Sequence, residues 1–131
     1  MTARSSSAPG TVAGRSSPRG SRLLWRWAFG AAVVVQLIAL YVPDAPAGPA
    51  IIGLDKVVHV SIFAVPALAA LMLGLRARWV LGILAVHAPI SELIQHFFLT
   101  HRSGDVFDAV ADISGVLLGG LAYVVWNRRQ H

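Results

Sequence analysis

Hydrophobic positions along the chain fall into four long runs that follow a polar first segment. The runs cover about residues 23–42, 57–75, 79–99 and 106–126. Each is close to the ~20 residues that an α-helix needs to cross the hydrocarbon core of a bilayer. The pattern therefore predicts an all-α fold, a polytopic membrane protein built as a bundle of four transmembrane helices.

The breaks between the runs support this division. Three prolines within residues 43–49 end the first run, because proline cannot continue a helix. Trp25, Trp27 and Tyr41 stand near the ends of that run, where aromatic side chains anchor a helix at the membrane interface. Only about six residues join the third and fourth runs, so we expect these two helices to form an antiparallel pair.

Residues 1–21 differ from the rest of the chain. They are mainly Ser, Gly, Pro, Ala, Thr and Arg, with almost no large apolar side chain. Such a segment cannot bury enough surface to offset its conformational entropy, so we predict a disordered basic tail followed by one membrane domain over residues 22–131. The sequence Ala45-Pro46-Ala47 resembles a signal-peptidase site, but the run before it is long for a signal core, which favours a retained helix.

The amino-acid composition excludes several classes of site and partner. Charged residues make up 13% of the chain, about half the ~25% usual in soluble domains. The chain has no cysteine, which excludes disulfides, thiolate metal sites and a thiol nucleophile. The net charge of +5 is not accompanied by basic residues interleaved with aromatics on a soluble domain, so we predict a membrane protein with no nucleic-acid partner.

The distribution of cations predicts the orientation. In a four-helix model, nine of the eleven Lys and Arg residues fall on one side of the membrane, and only Lys56 and Arg102 fall on the other. Because cytoplasmic loops are enriched in Lys and Arg, both termini are predicted to be cytoplasmic in a multi-pass protein of the cell membrane. All six acidic residues then lie in the outer half.

Polar residues at the outer ends of the last three helices form the candidate site. Burying a carboxylate within an apolar membrane-spanning segment costs free energy, so such a residue indicates a functional site by default. Helical spacing places the polar residues of each helix on one face of that helix. Glu92 and Asp112 are expected at similar depths on adjacent antiparallel helices. The candidate outer-face pocket consists of Asp55, Lys56, His59, Glu92, Gln95, Arg102, Asp105, Asp108 and Asp112.

Ionisation of this pocket depends on its cations. Two carboxylates at similar depth in a low-dielectric site hold a proton unless a cation such as Lys56 or Arg102 lies between them. Hard divalent cations prefer oxygen ligands, so His59 and the carboxylates are chemically suited to one. Nothing in the spacing requires a metal, and the sequence predicts neither a metal site nor a cofactor.

Structural roles explain some of these residues equally well. Asp55 and Asp105 are possible helix N-caps, and Asp108 a first-turn acid stabilised by the helix dipole. Lys56 and Arg102 can extend to the interface. Capping does not explain the polar residues within the apolar spans, which are His59, Glu92, Gln95 and Asp112.

Two further features are interpreted as structural. Gly115 and Gly119 are four residues apart, a spacing that lets two membrane helices approach closely. His87 is expected in the middle of the bilayer as a packing or hydrogen-bonding residue rather than a ligand.

An ordered set of motifs resembles the VanZ-like membrane proteins of bacteria. The set comprises Asp55-Lys56-x-x-His59, Glu92-x-x-Gln95, Arg102, and Asp105-x-x-Asp108 followed by Gly115. The resemblance covers roughly residues 23–126. It implies a small four-helix membrane protein of the cell envelope with these residues near the outer surface, in a family whose founding member is associated with resistance to the glycopeptide teicoplanin.

The chain departs from that family pattern in three places. Phe63 stands where the family often has Tyr, and Thr100-His101 replaces a Pro-Gly-like turn. Asp112 stands where the family usually has Asn, which adds a negative charge to the pocket.

Three classes of function follow. In the first, the pocket binds a membrane lipid or a lipid-linked, cell-wall-related precursor, with Lys56 and Arg102 holding an anion. In the second, the protein is an enzyme acting on such a lipid, with His59 and Glu92 carrying protons. In the third, the bundle conducts ions or protons, but the inner halves of the helices lack ionisable residues apart from His87. Binding is the preferred interpretation, and the question of catalysis stays open.

Overall fold

The computed structural model describes residues 18–42, 53–99 and 106–130, which form four α-helices and no strand. Their bounds are α1 Pro18–Tyr41, α2 Leu54–Met72, α3 Ala77–Phe98 and α4 Val106–Arg128. All four are long and apolar enough to cross a membrane. The predicted all-α fold is confirmed, and the four apolar helices indicate a multi-pass membrane protein.

The first helix starts earlier than the sequence pattern predicts. It begins at Pro18, whereas the apolar run starts at residue 23 and the disordered tail was expected to extend to residue 21. The prediction is therefore wrong for residues 18–21, because proline fits the first turn of a helix and polar residues can extend a helix beyond its apolar part. The rest of the predicted tail, residues 1–17, and the Ala45-Pro46-Ala47 sequence lie outside the described residues.

The second helix also begins before its apolar run. Gly53, with a φ of 83°, occupies the N-cap position, and the helix includes Asp55 in its first turn. Asp55 is therefore not an N-cap. The other end closes at Gly74, with a φ of 82°, where the amides of Gly74 and Leu75 bond back to the carbonyls of Leu71 and Ala70. This Schellman arrangement turns the chain sharply into α3.

Glycines bring α2 and α4 together. A Cβ atom on Gly115 would lie 2.2 Å from the carbonyl oxygen of Val60, and one on Gly119 would lie 2.5 Å from that of Ala64. Both distances are too short for any side chain, so backbone meets backbone along this interface. The predicted structural role of Gly115 and Gly119 in close helix packing is confirmed.

The outer surface of the bundle is far more apolar than that of a soluble protein. Large apolar residues such as Trp27, Phe97 and Leu117 point outward, whereas the interior includes buried polar residues. The buried polar residues are Gln36, Ser91, Glu92, Gln95 and Asp112. An apolar exterior around a partly polar interior suits a helix bundle surrounded by lipid.

Candidate functional site

Seven of the nine residues predicted to form the site lie together at one end of the bundle, where α2 and α4 begin and α3 ends. We call them the polar cluster: Asp55, Lys56, His59, Glu92, Gln95, Asp108 and Asp112. The other two, Arg102 and Asp105, lie outside the described residues. The proximity of the seven is a structural fact, and their function stays a prediction.

Three members of the cluster share one level of the bundle. His59 is five residues from the start of α2, and Asp112 is six residues from the start of α4. Glu92 is six residues before the end of α3. At 1.5 Å per residue, all three lie about 8–9 Å from their helix ends. Glu92 and Asp112 therefore lie at the same level of the bundle, and their depth in the bilayer stays a prediction.

His59 is the centre of the cluster. Its Nδ1 atom donates a hydrogen bond to Oδ1 of Asp112 over 2.9 Å and lies 4.0 Å from Oε1 of Glu92. Its Nε2 atom faces Oδ1 of Asp108 at 3.8 Å. One imidazole from α2 thus approaches carboxylates from both α3 and α4.

Lys56 lies one turn nearer the end of the bundle and is paired with acids. Its ammonium group donates to Oδ1 of Asp108 in an ion pair and lies 3.3 Å from Oδ2 of Asp55. The Asp55 side chain is 63% exposed and marks the outer edge of the cluster. The positive charge of Lys56, which the sequence interpretation assigned to holding an anion, is already matched by protein carboxylates.

Gln95 supports Glu92 from the next turn of α3. Its Nε2 atom donates to Oε1 of Glu92 over 3.4 Å, and both side chains are buried. The predicted neighbour relationship between these two residues is present. A buried amide fixes the orientation of the carboxylate without adding charge.

Asp112 is the most completely enclosed acid. Its side chain has 0% exposure, and its second oxygen, Oδ2, has no hydrogen-bond partner within residues 18–42, 53–99 and 106–130. A buried carboxylate oxygen without a partner is costly. Asp112, one of the positions that depart from the VanZ-like pattern, therefore has a buried oxygen that the described part of the protein leaves unsatisfied.

Two further polar features lie elsewhere in the bundle, and the first of them was not predicted from the sequence. Gln36 of α1 is only 2% exposed, and its Nε2 atom has no partner in the described part of the chain. An isolated amide in an apolar run is the sequence signal that indicates it. Tyr41, which is expected to be an interfacial anchor, shares a hydrogen bond of 2.9 Å with Nε2 of His87, which confirms a hydrogen-bonding role for His87.

Gln36 and His87 also border an apolar groove between α1 and α3. Its volume is about 530 Å³, and its walls include Phe29, Trp79 and Ile83. None of the residues that line the groove belongs to the polar cluster.

The chain matches no protein-family model, no curated protein and no solved structure. The VanZ-like resemblance stays an interpretation of the residues.

Proposed function

We propose that the protein belongs to the bacterial cell envelope, resembles the VanZ-like proteins, and uses the polar cluster to bind the polar part of a membrane lipid or lipid-linked cell-wall precursor. Both termini are cytoplasmic in this proposal, so the cluster opens toward the outer face. Deletion of the protein then alters susceptibility to a glycopeptide antibiotic such as teicoplanin.

The observation that carries the proposal is the buried Asp112 carboxylate with its unpartnered Oδ2 atom, set among Glu92, His59 and Asp108. A stabilising structural device would have its polar atoms satisfied, because each unsatisfied buried group costs stability. A site that awaits a ligand keeps such atoms available. Departures of this kind from a fully satisfied interior are expected at functional sites.

The charge balance indicates which part of the ligand is bound. Within the described residues, the cluster has four carboxylates and one lysine, and the lysine is already ion-paired. Carboxylates accept hydrogen bonds from hydroxyl, amine and amide groups. The matching ligand portion is therefore a sugar or short peptide rich in donors, rather than an anion held by Lys56.

Catalysis is the second candidate, favoured by the contact between His59 and Asp112. A carboxylate hydrogen bonded to one imidazole nitrogen orients the ring, as in the base-and-orienter pairs of hydrolytic enzymes. Glu92 at 4.0 Å would be the second proton-transfer group. In this alternative the enzyme acts on the same envelope lipid by acid–base chemistry.

The test is binding of labelled lipid-linked cell-wall precursors to the purified protein in lipid nanodiscs, with mass analysis of the lipid afterwards. Saturable binding that Glu92→Gln and Asp112→Asn abolish, with the lipid mass unchanged, supports binding alone. A changed lipid mass supports the enzyme. His96→Ala is the matched control, because His96 is an exposed imidazole on α3 outside the cluster. Equal binding by wild type and both cluster variants would reject the proposal.

A further inference from the structure

We infer that the polar cluster contains a zinc site formed by His59, Glu92 and Asp112. One ligand atom from each of these residues lies within 4.8 Å of the others. The three come from α2, α3 and α4, so the site joins three helices at a single level. The zinc site uses the same polar cluster as the proposed function, and the inference rests on the proposed function only through these shared residues.

The distances between ligand atoms suit a small divalent ion. Zinc binds histidine nitrogen and carboxylate oxygen at about 2.0–2.2 Å, which separates tetrahedral ligands from one another by roughly 3.3 Å. Nδ1 of His59 lies 2.9 Å from Asp112 and 4.0 Å from Glu92, one value on either side of that separation. Shifts of less than 1 Å bring both pairs to the required spacing.

A second observation points to a ligand independently of the clustering. Asp112 is fully buried, and its Oδ2 atom has no hydrogen-bond partner within the three described segments. A carboxylate can bind a metal through one or both oxygens, so an ion at this position gives Oδ2 the partner that the described residues do not supply. The divalent charge also balances the two buried carboxylates, Glu92 and Asp112.

The surroundings of the three ligands match those of metal-bound residues. A metal-bound histidine usually donates its other ring N–H to a carboxylate. When Nδ1 binds the ion, the ring proton moves to Nε2, which lies 3.8 Å from Oδ1 of Asp108, so a shift of about 1 Å would bring these two atoms within hydrogen-bond distance. Gln95 donates to Glu92 from its own helix and orients the second ligand. Asp108 lies on α4 one turn from Asp112, and Gln95 lies on α3 one turn from Glu92, so both supporting residues belong to helices that carry a ligand.

The donor set favours zinc over magnesium or calcium. Those two ions prefer all-oxygen surroundings, whereas an imidazole nitrogen suits zinc and its neighbours in the first transition row. Three protein ligands leave a fourth zinc position open, which is the pattern of zinc sites that bind water or substrate. A donor-rich envelope lipid could therefore meet the ion directly.

Metal binding can be measured on the purified full-length chain, prepared with a tag free of histidine and stripped with a chelator. Equilibrium dialysis against Zn²⁺ followed by elemental analysis gives the stoichiometry and affinity. We expect one zinc ion per chain, and at least a tenfold loss of affinity in His59→Ala, Asp112→Asn and Glu92→Gln. His96→Ala, which removes an exposed imidazole from α3, leaves the affinity unchanged.

Cobalt provides a spectroscopic check. Since the chain has no cysteine, a tetrahedral site of nitrogen and oxygen ligands gives intense visible bands with Co²⁺, free of thiolate absorption. Circular dichroism shows whether each variant stays helical, and the near-isosteric Glu92→Gln is the variant least able to disturb folding. The wild-type stoichiometry is decisive even if a variant misfolds.

Several results would overturn the inference. These are the absence of stoichiometric zinc binding by the folded wild type, equal affinity in the folded cluster variants, and displacement of zinc by equimolar Mg²⁺. The outcome is distinguishable from that of the proposed function, because lipid binding is measured separately. Lipid binding without zinc binding rejects the metal site alone, whereas zinc binding without lipid binding rejects the proposed function alone.

Discussion

His59 and Asp112 are hydrogen bonded one turn away from the point where the backbones of α2 and α4 meet. The Nδ1-to-Oδ1 distance is 2.9 Å, and the next turn of α4 places Gly115 against the carbonyl of Val60, the residue after His59. The absence of a side chain at Gly115 sets the helix separation at which a histidine can reach an aspartate. Packing and site chemistry therefore depend on the same contact.

Replacing Gly115 by alanine is expected to destabilise the protein by about 1–3 kcal/mol, since the added methyl group would lie 2.2 Å from the Val60 carbonyl oxygen. Unfolding of the purified variant in detergent measures the change. Gly82→Ala is the matched control, because a Cβ at Gly82 meets nothing within 4 Å. That control should be neutral or stabilising by up to about 1 kcal/mol. Equal stability of the two variants would contradict the close-packing role.

The ion pair between Lys56 and Asp108 predicts an order of effects. Lys56→Met leaves Asp55 and Asp108 without their shared cation, whereas Asp108→Asn leaves Lys56 still paired with Asp55. Lys56→Met should therefore be the more destabilising change. The loss of unfolding free energy in the double variant should be smaller than the sum of the losses in the two single variants. We expect a difference of only about 1 kcal/mol, because Lys56 is partly exposed and solvent weakens its ion pair. Denaturant or thermal unfolding of all four proteins measures this coupling, and strict additivity would show that the pair contributes nothing.

The helices were predictable from the sequence because length and apolar content alone define a membrane span. The residues at which the helices begin and end were less predictable. The pattern begins the second span at residue 57, since Asp55 and Lys56 interrupt the apolar run, yet both residues are helical. Their charges are tolerated there because they pair with each other and with α4. An apolar run therefore underestimates a helix whose first turn is polar.

The sequence indicates which polar residues share a helix face, but it does not indicate which of them are in contact across helices. Helical spacing correctly brings Asp108 and Asp112 to the face of α4 that meets His59. Spacing carries no information on the partner of Lys56, which is 52 residues away in sequence. That pairing depends on the register between α2 and α4, and the register depends on the glycine contacts, which only the three-dimensional packing reveals.

Membrane orientation makes a prediction of its own. The distribution of Lys and Arg predicts that α4 starts outside the cell and ends inside it. In this chain without cysteine, Val106→Cys on intact cells should react with a membrane-impermeant thiol reagent, since Val106 is 77% exposed. Gln130→Cys should react only after the cells are permeabilised. Labelling in the reverse pattern would overturn the orientation.

Glu92 offers the sharpest test of whether the polar cluster acts or only supports the fold. The residue is buried, caps no helix end, and receives a hydrogen bond from Gln95. Glu92→Gln keeps the shape and the capacity to accept hydrogen bonds but removes the charge and the exchangeable proton. If the charge is used, this change should abolish complementation of a deletion phenotype such as altered glycopeptide susceptibility, while expression and membrane insertion stay normal.

His59→Ala should then have the same phenotype as Glu92→Gln, and combining the two should add little, because residues that act as one unit lose function non-additively. Arg15→Ala, far from the cluster in sequence, is the control and should complement fully. If His59 and Glu92 bind zinc, both variants should lose the metal as well as complementation, so the zinc content of each variant can be compared with its phenotype. Full complementation by Glu92→Gln at native expression would remove Glu92 as a required acid, base, counter-ion or metal ligand. The buried carboxylates would then have to be explained by the packing of α3 against α4.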